Sequence, residues 1–208
     1  QIETFAKALP IIKSLKRAGY EAYFVGGAVR DYLLERAVED VDITTDARPE
    51  EVQALFKRVI PVGLEHGTVI VRMSGISYEV TTFRMFDEEK KEFLFGQSLA
   101  KDLQYRDFTM NALAMDEQGQ IIDLFEGRKA LEQKKIQAVQ DANGRLREDP
   151  LRMVRACRFV SQLNFTIEEG TLQAIKKCRG QLANVATERL KDEVSTLVTS
   201  PYMSKAID

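Results

Sequence analysis

Asp40 and Asp42 stand one residue apart in Glu-Asp-Val-Asp-Ile-Thr-Thr, shortly after Gly-Gly-Ala-Val-Arg-Asp at 26–31. Side chains alternate along a β-strand, so a strand over 40–44 puts both carboxylates on one face and turns Val41 and Ile43 into the core. Two carboxylates side by side repel unless a cation sits between them. Hard oxygen ligands suit Mg²⁺, which binds through one or two carboxylates together with water and substrate phosphates. The pair therefore points to metal-assisted chemistry on a phosphorylated substrate. The plainer alternative is a solvated strand end.

The glycines favour the first reading. Gly26 and Gly27 follow the apolar run Ala22-Tyr23-Phe24-Val25 and precede a helical pattern from Ala28 to Glu35. A strand-glycine-helix junction offers backbone N–H groups at the positive end of a helix, where phosphates bind. Arg30 adds a charge-assisted donor for a triphosphate. Otherwise the glycines serve a tight turn, with Arg30 and Asp31 as surface charges. Together these groups predict metal-dependent nucleotidyl transfer. Glu79, in the strand pattern 77–82, becomes a third carboxylate if that strand lies beside the first two.

Two further stretches carry polar groups at helical spacing. In Tyr105-Arg106-Asp107-Phe108-Thr109-Met110-Asn111, Asp107 and Asn111 are four apart and either converge on one ligand or leave Asp107 as a helix cap and Asn111 exposed. In Glu148-Asp149-Pro150-Leu151-Arg152-Met153-Val154-Arg155-Ala156-Cys157-Arg158, the three arginines recur every third residue, and Asp149 lies one turn from Arg152. A carboxylate acceptor beside a guanidinium donor can hydrogen-bond a base edge, or it can be an ordinary surface ion pair.

These groups must be carried by one large or two small domains, since the chain has 208 residues, 44% of them hydrophobic and 30% charged. With 30 Lys+Arg against 32 Asp+Glu, bulk charge neither predicts nor excludes a nucleic-acid partner. A single histidine, His66, argues against histidine-based hydrolysis or a zinc site. Cys157 and Cys178 lack metal-ligand spacing, and no signal peptide or long apolar segment accompanies them, so a cytoplasmic setting without membrane attachment is expected. The start at Gln1 and the end at Asp208 suggest a piece of a longer protein.

Periodicity predicts an amphipathic helix over 3–18 on Phe5, Leu9, Ile12 and Leu15. Strands follow at 21–25 and 40–44, a helix opened by Pro49, and strands at 59–62, 67–73 and 76–83, with Ser74-Gly75 as a hairpin turn. Residues 85–96 read as a charged, mobile connection. From about 138 strand signals vanish and helices are expected over 147–163, 168–178 and 187–198, with Asn164 and Gly180 ending two of them.

Taken in order along the chain, Gly-Gly-Ala-Val-Arg-Asp, Asp-Val-Asp, Tyr-Arg-Asp-Phe-Thr-Met-Asn-Ala-Leu, Asp-Leu-Phe-Glu-Gly at 123–127, Arg-Glu-Asp-Pro-Leu-Arg and Glu-Arg-Leu-Lys-Asp-Glu at 188–193 resemble the N-terminal half of bacterial class II tRNA nucleotidyltransferases. This is the CCA-adding family within the DNA polymerase β-like nucleotidyltransferases. The resemblance implies an α/β nucleotidyltransferase head with a mixed sheet at 1–138 and an all-α helical neck at 139–208. Body and tail domains that hold tRNA would lie outside the chain. It implies Mg²⁺ on Asp40 and Asp42 with Glu79 contributing, and the triphosphate on Gly26, Gly27 and Arg30. Arg106, Asp107 and Asn111 would contact ribose and phosphates. Asp149 and Arg152, positioned by Glu148, would read CTP or ATP, with Arg155 and Arg158 on phosphates. The partners implied are the tRNA 3′ end, CTP and ATP, with no obligate protein partner.

One departure bears on the product. Family members that complete CCA carry, before the Arg-Asp-Phe-Thr motif, a flexible loop with an acidic residue and two arginines before a proline. This chain has the shorter Met85-Phe86-Asp87-Glu88-Glu89-Lys90-Lys91-Glu92, without arginine or proline. The expected product is therefore CC rather than CCA. The competing readings are a full CCA-adding enzyme, a poly(A) polymerase, a small-molecule nucleotidyltransferase and a non-catalytic nucleotide- or RNA-binding module.

Overall fold

The structure, a computed structural model, describes residues 2–96 and 98–179. The chain separates into two compact units. One is formed by Gln1–Tyr105 with Asn111–Leu124, the other by Arg106–Met110 with the chain from Phe125 onward. The helix expected over 187–198, its neighbour Gly180 and the motif at 188–193 lie outside the described residues.

The first unit opens with α1 (Ile2–Arg17), whose Phe5, Ala8, Ile11, Ile12 and Leu15 form a buried stripe at spacings of one, three and four. Each of the four larger side chains gains roughly 1.5–3 kcal/mol by burial. Leu9, expected on this stripe, is only half-buried, because Ala8 and Ile11 carry it instead. There follow β1 (Ala22–Val25), α2 (Gly27–Leu33), β2 (Asp42–Thr45), α3 (Pro49–Leu55), β3 (Val59–Gly63), β4 (Thr68–Met73) and β5 (Ile76–Thr82). Then come β6 (Arg84–Asp87), β7 (Glu92–Phe95), α4 (Leu99–Gln104), β8 (Leu113–Met115) and β9 (Ile121–Asp123).

Seven strands form one mixed sheet in the order β3-β4-β5-β2-β1-β8-β9, and of these pairings only β2 with β5 is parallel. Phe24, Ile43, Val80 and Val69 share one face by register and are buried. Phe5 of α1 packs edge-on against Phe24 at 5.0 Å, and Tyr32 of α2 meets Phe5 at 5.6 Å. Thr44, Thr45 and Thr82 are buried too, and their hydroxyls donate to the carbonyls of Thr81, Glu21 and Ala47. These polar groups are spent on the fold. The predicted turn between β4 and β5 has Ser74 at φ 53° and Gly75 at φ 79°, as a two-residue hairpin of type I′ requires.

Residues 85–96 are not an unstructured connection. β6 and β7 pair as a two-stranded hairpin in which Phe86 faces Phe93, with ring centroids 5.4 Å apart. Asp87 Oδ1 accepts from the N–H groups of Glu89 and Lys90 to close the turn, and the Arg84 guanidinium lies 5.2 Å from the Phe93 ring centre. The charges between the two phenylalanines conceal the cross-strand pair in sequence, although that pair is what stabilises the hairpin.

In the second unit the segment 106–110 is pinned by a bridge between Phe108 and Ala138 and by hydrogen bonds from Thr109 N–H to the Gln137 carbonyl and from Val139 N–H to the Asp107 carbonyl. The helix expected through Asp107 and Asn111 does not form: α4 ends at Gln104, and Thr109–Asn111 is a single 3₁₀ turn. The unit continues with α5 (Gly127–Gln133), β10 (Lys135–Ile136), α6 (Ala142–Glu148), α7 (Leu151–Leu163), β11 (Thr166–Ile167) and α8 (Glu169–Cys178). Leu146, Met153 and Ala174 form one buried cluster between α6, α7 and α8.

The helix predicted over 147–163 is two helices. Pro150 disfavours helical backbone at the preceding residue, and Asp149 is extended at φ −150° and ψ 101°. Asn164 ends α7 in the left-handed region at φ 57°, as expected. A two-residue parallel pairing of β10 with β11 enters the part read as wholly helical, too short to leave a period-two signal. Among the described residues no helix is long and apolar enough to cross a membrane.

Candidate active site

Strand register gathers the first unit's polar groups at one end of the sheet. Val25 pairs with Asp42, Asp42 with Glu79, and Val25 with Ala114. Gly26, following Val25, and Asn111, just before β8, therefore arrive where β2 begins. Partners across a strand pair point to the same side, so Asp42 and Glu79 share a face while their neighbours Ile43 and Val80 are buried on the other. Asp40 precedes β2 rather than lying in it. It is exposed, and buried Val41 separates it from half-buried Asp42, so the predicted alternation holds through the strand's entry.

The donor set consists of carboxylates, without histidine or cysteine. Among the described residues, no group of three or more His, Cys, Asp or Glu side chains is gathered into a full metal cage. A carboxylate pair completed by water and phosphate is the Mg²⁺ mode rather than the zinc mode, so these residues fit a hard divalent ion.

Gly26 adopts φ 76° and ψ −139°, a backbone open to glycine and costly for other residues. Its N–H donates to the Leu113 carbonyl at 3.1 Å, which ties the junction to β8. This amide is thus engaged by the fold instead of being presented to an anion, as the junction alone had suggested. What the junction does present is Arg30. A Cβ on Gly27 would lie 3.3 Å from Arg30 Nη2, so the bare glycine lets the guanidinium fold back against the chain. Arg30 Nε donates to Asp31 Oδ1 at 3.0 Å and Nη1 to Asn111 Oδ1 at 2.7 Å. Asn111 is thereby an orienting partner of Arg30.

The second unit holds its polar groups through ion pairs. The Glu148 side chain is fully buried and lies between two guanidinium groups: Arg145 Nη2 at 2.6 Å from Oε1, and Arg152 Nη1 at 2.7 Å from Oε2. Arg155 Nη2 meets Asp107 Oδ2 at 2.6 Å, while Asp107 Oδ1 accepts from Phe108 N–H. Asp149 Oδ1 accepts from Leu151 N–H at 3.1 Å and so helps to start α7. Arg158 lies over the Phe159 ring, 5.4 Å from its centre, and Arg106 is half-buried beside Asp107. The structure places Asp107 and Asn111 in different units, each with its own arginine partner. Burial pushes the Cys157 thiol up, away from nucleophilic use.

Arg145 was not singled out in the sequence. Its spacing of three from Glu148, with Arg152 four further on, is the pattern that could have found it.

A model of the poly A polymerase head domain matches residues 22–137, and one for an RNA- and SrmB-binding site of polymerase A matches 164–208. The CCA-adding enzyme of Anoxybacillus flavithermus is 53% identical over 99% of this chain and 53% of its own length. The Bacillus stearothermophilus CCA-adding enzyme, solved in complex with CTP, superposes with a TM-score of 0.91 at 51% identity over 97% of this chain and 50% of that one. A tRNA nucleotidyltransferase solved with a primer tRNA and an incoming ATP analogue gives 0.77 at 31% identity over 95% of this chain and 58% of that one. The chain thus spans about half the length of the curated relatives it matches. With the head-domain match covering more than half of its residues, the chain belongs to the poly A polymerase head-domain family.

Proposed function

We propose that this chain is the head, 1–138, and neck, 139–208, of a Mg²⁺-dependent, template-independent tRNA nucleotidyltransferase of the cytoplasm. It would add CMP from CTP to the 3′ end of tRNA and release pyrophosphate. The observation that carries this is the register placing Asp42 beside Glu79, at the sheet end where the glycine junction delivers Arg30. The similarity to a tRNA nucleotidyltransferase solved with a primer tRNA supports the tRNA substrate, and the name of the relatives, CCA-adding enzyme, supports the added nucleotides.

In this reading the tRNA 3′-hydroxyl oxygen bonds to the α-phosphorus, the bond from the α-phosphorus to the pyrophosphate oxygen breaks, and the hydroxyl proton passes to solvent water. Asp40 and Asp42 would hold the metal ions, with Glu79 in register beside Asp42. Bound there, such ions supply charge neutralisation and a lowered hydroxyl pKa. Arg30, kept in place by Asn111 and Asp31, holds the triphosphate together with the Gly27 backbone, and Gly26, whose amide is taken by the Leu113 carbonyl, supplies the turn that brings them there. Asp107, oriented by Arg155, contacts the ribose with Arg106. Arg152 and Asp149 read the base edge, and Glu148 positions Arg152. Arg155 and Arg158 add phosphate contacts.

The test is incorporation of CTP and ATP, separately and together with Mg²⁺, onto tRNA lacking its 3′ end, by the full-length parent protein at single-nucleotide resolution. Extension by cytidines supports the proposal. No extension, or long adenylate tails, overturns it. A CC-only product is a second reading, favoured by the hairpin turn at 88–91, which has no arginine pair and no proline. Completion to CCA in the same assay would exclude it.

A further inference from the structure

Arg145 pairs with Glu148 through a fork: Nη2 donates to Oε1 at 2.6 Å and Nε to Oε2 at 3.1 Å. Arg152 Nη1 donates to Glu148 Oε2 at 2.7 Å and to the Arg145 backbone carbonyl at 2.9 Å. One end of Arg152 is thus gripped by two acceptors, the Glu148 carboxylate that Arg145 clamps and the Arg145 carbonyl itself. The three side chains are 5%, 0% and 9% exposed for Arg145, Glu148 and Arg152. They also bridge the extended break at Asp149-Pro150, where α6 and α7 share no helical backbone to fix their side chains relative to each other.

What Arg145 adds to a Glu148–Arg152 pair is a planar fork that holds the carboxylate at both oxygens, a geometry lysine cannot reproduce.

We propose that Arg145 is a positioning residue for base selection. Its fork fixes Glu148, and the fixed carboxylate, with the Arg145 carbonyl, sets the orientation of Arg152 toward the edge of the incoming base. The inference rests on the function proposed above.

The experiment uses the full-length protein and compares kcat/KM for CTP and UTP on tRNA lacking its 3′ end, in the wild type, Arg145→Lys, Arg152→Lys and the double variant. Arg145→Lys should lose at least about tenfold of the CTP preference, and the double variant should be no less selective than Arg152→Lys alone, since the two act as one unit. Unchanged preference in Arg145→Lys, or losses that add, overturn the inference. If Arg152→Lys itself keeps the preference, the base-reading role of Arg152 fails and takes this inference with it. If only Arg145→Lys keeps it, the function stands and this inference alone falls. Should Arg145→Lys not fold, Arg145→Ala with added guanidinium supplies the second readout. Preference restored by guanidinium and not by methylammonium supports the fork, and equal rescue by both, or by neither, overturns it.

Discussion

The two units hold their candidate site residues by different physical means. In the first, Asp42 and Glu79 are placed by backbone register, and their carboxylates are exposed or half-exposed. In the second, the side chains of Glu148 and Asp107 are buried and their carboxylates are engaged by arginines. Main-chain ladders place a carboxylate at a sheet end through its backbone, independently of what its side chain binds. A helix pair separated by an extended proline break has no ladder to lean on, so side-chain ion pairs do the positioning. Loss of a site carboxylate should therefore cost chiefly activity in the first unit, and both activity and stability in the second.

The largest expected effect tests the first half of that contrast. Asp42→Ala in the full-length protein should lower nucleotide incorporation on the order of 10³-fold or more, because transition-state charge loses several kcal/mol of stabilisation. Its urea midpoint should move less than that of Glu148→Ala, because backbone register rather than the carboxylate places the residue. A large stability loss would mean that the carboxylate is a structural group.

Glu148→Ala should do the opposite and cost about 3–5 kcal/mol in urea unfolding, by leaving two buried guanidinium groups without their shared carboxylate. An unfolding curve like the wild type's would show that solvent reaches this cluster and would erase the contrast. Nucleotide incorporation should fall with the stability, because Arg152 loses an acceptor.

How far the sequence anticipated this differs between the units for the same reason. Period-two alternation around Val41 and Ile43 and the Ser74-Gly75 turn are local patterns, and both were legible. That β5 lies beside β2 is a property of strand order, which no local pattern carries, so Glu79 could only be a conditional candidate. In the second unit the stripe of Leu151, Val154, Phe159 and Leu163 reads back to Arg147, across the break that Asp149-Pro150 announces. Arg145 escaped because an arginine on a helix usually faces solvent, and only the structure reveals what it grips. The β6–β7 hairpin escaped because Phe86 and Phe93 meet across a turn of charges.

Gly26→Ala extends the contrast from side chains to main chain. At φ 76° and ψ −139° a Cβ is strained, and the substitution should cost about 1–3 kcal/mol. Incorporation should fall as well, because the strain is relieved by moving the junction that carries Arg30. Urea unfolding and the KM for CTP measure the two parts. If Gly26→Ala matched the wild type in both, backbone geometry would not be what delivers Arg30.

The smallest effect comes from Glu168, a second-unit carboxylate held by backbone amides rather than by arginine. Burial pushes its carboxyl up, but hydrogen bonds from Gly170 N–H, Thr171 N–H and the Thr171 hydroxyl outweigh this and hold it below the ordinary value of 4.5. It caps α8, and Glu168→Ala should cost about 1 kcal/mol at neutral pH. A lowered folded-state pKa means that the ionic part of this stabilisation is fully present above the unfolded-state value and is lost as pH falls through the folded-state value. The stability gap between wild type and Glu168→Ala should accordingly be constant from pH 7 down to near 4.5 and narrow below it. A gap that widened on acidification would mean that the protonated carboxyl is the better cap. The amide-held carboxylate would then have to be set apart from the arginine-held Glu148 by its charge as well as by its partners.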